Sequence, residues 1–171
     1  MGKMMGMLGF LGGIAYLLYQ WILEQKIKYR QMEDVLNFLQ RSIFAMEDDK
    51  LKVIEYFRNY TSKETVLEET LKEIARRLEQ KIYPDGQVVW ENVFWEKRWE
   101  WNVDKDTLGL FMGIGRGFFG KKRGENLCFL KRDLCDLERM LKEKKETDAR
   151  ERKVWIPVGM LGGIMLMIIL V

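Results

Sequence analysis

Charge is missing from both ends of this chain and dense in between, and that split limits the fold more than any motif does. All 26 acidic residues lie between Glu24 and Glu151, and every basic residue except Lys3 lies between Lys26 and Lys153. At 171 residues the chain is about one domain long. A single soluble globule would interleave apolar and charged residues along its whole length. Here the mean hydropathy of −0.25 averages two unlike parts. The distribution predicts three segments: a membrane helix at 4–23, a charged helical bundle at 26–153 and a second membrane helix at 154–171.

The first apolar run, Met4 to Leu23, would form about 30 Å of helix, the thickness of a bilayer core. Tyr16, Tyr19 and Trp21 gather toward its end, as aromatic residues do at membrane–water interfaces. It is longer than a signal-peptide core and no small-x-small cleavage site follows, so an uncleaved anchor is expected. The second run, Val154 to Val171, has no polar face, and its Pro157 is expected in a first helical turn, where a missing N–H costs least. Lys26, Lys28 and Arg30 follow the first run, and Arg150, Arg152 and Lys153 precede the second. Both biases put residues 26–153 in the cytoplasm. Each run carries a small-residue pair, Gly9/Gly13 and Gly159/Gly163, of the kind that lets helices approach closely in lipid. The residues leave open whether the runs pack on each other or on other subunits, a homo-oligomer included.

Helical periodicity fills the middle. Met32, Val35, Leu36, Leu39, Ile43 and Met46 form one apolar stripe; Val66, Leu67, Leu71, Ile74 and Leu78 a second; Leu127, Leu130, Leu134, Leu137 and Leu141 a third. The first stripe continues from the first apolar run without a breaker, and the third continues into the second run. An all-α antiparallel bundle built on two long helices is therefore expected. Thr61-Ser62-Lys63-Glu64 reads as a capping box, Pro84-Asp85-Gly86 as a turn, and Asp104 or Asp106 as a helix cap. Val88–Trp90 and Val93–Trp95 are the best strand candidates, although their spacing suits a helix too. Trp90, Trp95, Trp99 and Trp101 cluster with Phe94, either to pack short helices on the long pair or to meet a bilayer or partner.

Composition excludes much chemistry. Without His there is no Ser–His–acid triad, histidine base or histidine metal site. Two cysteines, Cys128 and Cys135, cannot make a disulfide scaffold or zinc cluster. Seven apart on a helix they are too distant to bridge, and small apolar packing beside the leucine stripe is expected. The net charge of +3 does not favour nucleic acid. Gly115-Arg116-Gly117-Phe118-Phe119-Gly120 spells GxGxxG, but a helical pattern precedes it where dinucleotide binding needs a strand. A tight helix connection using positive φ is expected instead. Lys121-Lys122-Arg123 lies about 45 Å of helix from Lys153, beyond lipid head groups, and is the candidate contact for an acidic protein partner. No enzyme activity and no cofactor are expected.

An N-terminal apolar helix, basic amphipathic helices, the Phe119-Gly120 junction, a long charged helix and the terminal run Pro157-Val158-Gly159-Met160-Leu161-Gly162-Gly163-Ile164 follow one another in an order that resembles stage III sporulation protein AB. That family often carries an Asp and a Gln after the junction; here Arg123 and Asn126 or Leu127 stand there. The resemblance implies a membrane component of the mother cell–forespore channel, similar to the F-type platform proteins of secretion and pilus machines. It implies a motor ATPase and other sporulation-channel membrane proteins as partners, and a place in the mother-cell membrane around the forespore. From the residues alone, a membrane-hairpin scaffold or receptor unrelated to secretion is the alternative.

Overall fold

The computed structural model describes residues 2–48, 52–81, 83–120 and 123–170; the side chains of 2–11, 14, 15, 123, 155, 156, 160, 163, 164 and 166–170 lie outside that description. Among the described residues the chain is helical and has no strand: α1 (Gly2–Glu47), α2 (Val53–Asn59), α3 (Thr65–Glu79), α4 (Gly86–Glu96), α5 (Lys105–Gly113), α6 (Gly115–Phe119) and α7 (Arg123–Leu170). The two strand candidates both fall in α4. The chain divides into two compact units, Ile27–Leu141 and Met1–Lys26 with Lys142–Val171.

In the first unit α1 and α7 run antiparallel. Lys131 Nζ lies 2.7 Å from Glu47, and Gln40 Nε2 donates to Glu138 Oε1 at 3.4 Å. The shorter helices fill out the bundle, with α3 on α2, α4 on α3, and α5 and α6 on α4. The three expected stripes supply its core: Met32, Val35, Leu39 and Ile43 from α1, Leu67, Leu71 and Ile74 from α3, and Leu130, Leu137 and Leu141 from α7. Aromatic rings fill the space between them. Phe38 meets Tyr60 edge-on at 5.1 Å and lies 5.5 Å from Phe118, while Trp90 stands 4.9 Å from Phe94. Trp90 Nε1 donates to the Phe111 carbonyl at 2.9 Å, so the largest buried side chain leaves no polar atom unpaired. Fully burying a phenylalanine such as Phe38 stabilises by about 1.5–3 kcal/mol.

Local chemistry sets the helix ends, and one expectation is corrected. The segment Thr61–Glu64 is not a capping box: α3 starts at Thr65, and the side chain of Glu64 caps nothing. Asp34, from the middle of α1, takes over that work. Its Oδ2 accepts from Ser62 Oγ at 2.7 Å and from the Glu64 backbone N–H at 2.8 Å. Glu68 then accepts from the Ser62 N–H at 3.2 Å. Asp85 caps α4 by accepting from the Gln87 N–H at 2.9 Å. Asp104 caps α5 as expected, accepting from Thr107 N at 3.0 Å and Thr107 Oγ1 at 2.8 Å. Lys28 approaches Asp104 to 3.6 Å, and Thr107 Oγ1 lies 3.3 Å from Met140 Sδ. Lys28 and Met140 therefore flank the same short helix start, and α1 enters this unit at the end where α7 leaves it.

The second unit is made of the outer parts of α1 and α7. The Arg152 guanidinium sits 6.0 Å over the Trp21 ring. Tyr16, Leu17, Tyr19, Val154, Val158, Leu161 and Met165 are exposed. Among the described residues no helix is long and apolar enough to cross a membrane. Pro157 lies inside α7 and not in a first turn, because the helix runs unbroken from the leucine stripe. The Lys153 carbonyl accordingly has no N–H four residues on.

Candidate interaction surfaces

The residues singled out in the sequence fall in different places. Lys121 and Lys122 lie outside the described residues, and Arg123 contributes the first backbone turn of α7. The junction before them is fixed: Asn126 Nδ2 reaches back to donate to the Gly120 carbonyl at 3.0 Å. Gly9, Gly13, Gly159 and Gly163 are all helical. A Cβ built on Gly13 or Gly159 would meet nothing within 4 Å among the described residues.

The GxGxxG segment is itself the short helix α6, following α5, and a strand does not precede it. The reason for its glycines differs from the one expected. Among the described residues no glycine has positive φ; Gly120 sits at −64°. Close approach demands them instead. A Cβ at Gly115 would lie 2.8 Å from the Trp90 ring, one at Gly117 2.4 Å from Leu130 Cδ2, and one at Gly120 2.1 Å from Asn126 Oδ1. Glycine here lets α6 lie against α4 and α7.

The tryptophans divide between core and surface. Trp90 and Trp101 are buried with Phe94, whereas Trp95 and Trp99 are 56% and 83% exposed. Arg98 lies between the two exposed rings, 4.6 Å from the Trp95 centroid and 4.8 Å from that of Trp99. Its Nη1 donates to the Trp95 carbonyl at 2.8 Å. The turn that carries them is pinned to α1. Buried Gln31 accepts from the Asn102 N–H at 2.7 Å and donates to the Glu100 carbonyl at 3.4 Å.

Two clefts mark other parts of the same unit. A groove of about 620 Å³ between α1 and α2 is lined by Arg41, Lys52, Glu55, Tyr56 and Tyr60. Burial pushes the Tyr60 phenol up to about 12, against the opposing pull of Arg41. A smaller cleft of about 220 Å³ brings Arg116 of α6 toward Arg132, Asp133 and Asp136 of α7. Burial raises the Asp133 carboxyl, with Arg132 acting the other way. Cys128 and Cys135 are both free and exposed, and they do not pack beside the leucine stripe. Each stands two residues before a buried leucine, about 200° round the helix from it.

A charge network fixes α3 to α4. Arg77 Nε donates to Glu73 at 2.7 Å, and its two terminal nitrogens donate to the two oxygens of Glu96 at 3.0 and 2.5 Å. The hydrogen bond from Arg76 holds the Glu73 carboxyl down at about 2, opposed by partial burial and helped by Arg77. These surfaces offer cations, rings and open apolar faces, which is the equipment of binding. Among the described residues no group of acidic or thiol side chains could hold a metal ion.

The family model for stage III sporulation protein AB matches residues 3–171. The chain belongs to the stage III sporulation protein AB family. That membership assigns it a stage III sporulation role. The matched span takes in α1 from Lys3 onward, all of α2 to α7, and the Phe119-Gly120 junction whose Asn126 clasp is described above. No match was found among curated proteins or among solved structures.

Proposed function

We propose that this family member is a non-catalytic platform anchored in the mother-cell membrane around the forespore by two helices, at 4–23 and 154–171, with residues 26–153 in the cytoplasm. It would couple a cytoplasmic motor ATPase to the membrane components of the channel. The observation that carries the anchoring is the antiparallel pairing, within the bundle, of α1 and α7, the two helices that continue into the apolar runs. The exposed row Val154, Val158, Leu161 and Met165 supports it, because its steps of four, three and four keep one apolar face open along α7. The ATPase reading rests on family membership and on the basic triplet beginning at Lys121.

Reversing Lys121, Lys122 and Arg123 to glutamate tests the coupling. An ATPase with an acidic face would be steered onto these cations. Affinity capture from detergent-solubilised sporulating cells should recover the ATPase with the parent chain and much less with the reversed one, at unchanged helix content and membrane insertion. Equal recovery would show the triplet to be a solvated turn. A parent chain that recovers no ATPase would contradict the platform reading itself.

A further inference from the structure

We propose that the corner formed by Trp95, Arg98 and Trp99 is a bilayer-interface contact, seated in the head-group layer of an anionic membrane. It rests on the anchored reading above. Trp95 and Trp99 expose large indole surfaces on one turn, where Trp90 and Trp101 of the same region are buried. Indole prefers the membrane–water interface to either water or hydrocarbon. Arg98 stacks against both rings, which places a weakly hydrated cation between two amphipathic plates.

Several neighbouring acids have a basic partner, which weakens their repulsion of an anionic surface at this corner: Glu96 pairs with Arg77, Glu100 and Glu69 share Lys97, and Asp104 pairs with Lys28. The chain also tethers the corner close to the bilayer. Its turn is hydrogen-bonded to Gln31, which stands eight positions along α1 from Leu23, the last residue of the first apolar run. Eight helical residues rise about 12 Å, and the head-group layer adds roughly 5–7 Å outside the hydrocarbon on each side. Lys26 occupies the same stretch of α1 and adds attraction to anionic lipid.

The test uses the full chain reconstituted in phosphatidylcholine vesicles with or without a quarter of phosphatidylglycerol, and with a head-group-linked nitroxide lipid that quenches nearby tryptophan. Four of the six tryptophans, Trp21, Trp95, Trp99 and Trp155, would then lie near the interface. The double variant Trp95→Phe/Trp99→Phe should lose about half of the nitroxide-quenchable emission while still floating with the vesicles. Arg98→Glu should lower the quenching of Trp95 and Trp99 only where phosphatidylglycerol is present. Undiminished quenchable emission in a double variant that floats would overturn the inference and assign the corner to a protein partner. A parent chain that does not float would overturn both this inference and the anchored reading.

Discussion

Asp34 is the position at which the bundle should be most sensitive to the loss of a single polar side chain. In Asp34→Ala, Ser62 Oγ and the Glu64 N–H both lose an ionised acceptor now held at 2.7 and 2.8 Å. Hydrogen bonds to charged groups contribute about 1.5–3 kcal/mol each, and removing a carboxylate that is only 6% exposed returns part of that. A net loss of about 2–4 kcal/mol follows, which lowers the melting temperature on the order of 10 °C for a unit of this size. Asp34→Asn keeps a neutral acceptor oxygen and should lose roughly half as much. Thermal unfolding of the full chain in detergent, followed by far-UV circular dichroism, reads both values. Hydrogen exchange should place the earliest opening at the start of α3. An Asp34→Ala chain melting within about 2 °C of the parent would refute the account of Asp34 as the tie between α1 and α3.

Two further outcomes come from the same unit. Gly117→Ala should destabilise by about 1–3 kcal/mol, because its Cβ would press on buried Leu130, whereas Gly109→Ala, with nothing within 4 Å, should stabilise by about 0.4–1 kcal/mol; urea unfolding separates the two. Glu73 has a folded pKa of about 2, below its ordinary value, so its contribution is present above about pH 4.5 and lost as pH falls toward 2. The urea midpoint should drop across that window, and less steeply in Glu73→Gln.

The sequence revealed the parts of this fold that depend on spacing and little of what depends on distant pairing. The leucine and mixed stripes of α1, α3 and α7 were readable because burial repeats at helical period. Phe38 escaped the first stripe although it adjoins Leu39 on the same face, and its neighbours Trp90 and Phe118 are far along the chain. Asp34 could not be read as the cap of α3, since its partners lie 28 and 30 residues away and a local box stood ready at Thr61–Glu64. The glycines of α6 were recognised as necessary but for the wrong reason: a turn motif suggests positive φ, while close contact with Trp90 and Leu130 appears only once α4 and α7 are placed. The division of the tryptophans was within reach. Val89, Trp90, Val93 and Phe94 share one helical face, and Val88 and Trp95 lie off it.

The central claim is an anchored bundle facing the cytoplasm, and the chain's own thiols test it most directly. Cys128 and Cys135 are free and exposed in the bundle. In intact protoplasts of cells expressing the parent chain, a membrane-impermeant maleimide should leave both unlabelled and should label both after permeabilisation. Lys3→Cys in a Cys128→Ser/Cys135→Ser background should be labelled in intact protoplasts. Labelling of Cys128 and Cys135 from outside, with position 3 protected, would contradict the topology and remove the cytoplasmic ATPase contact with it.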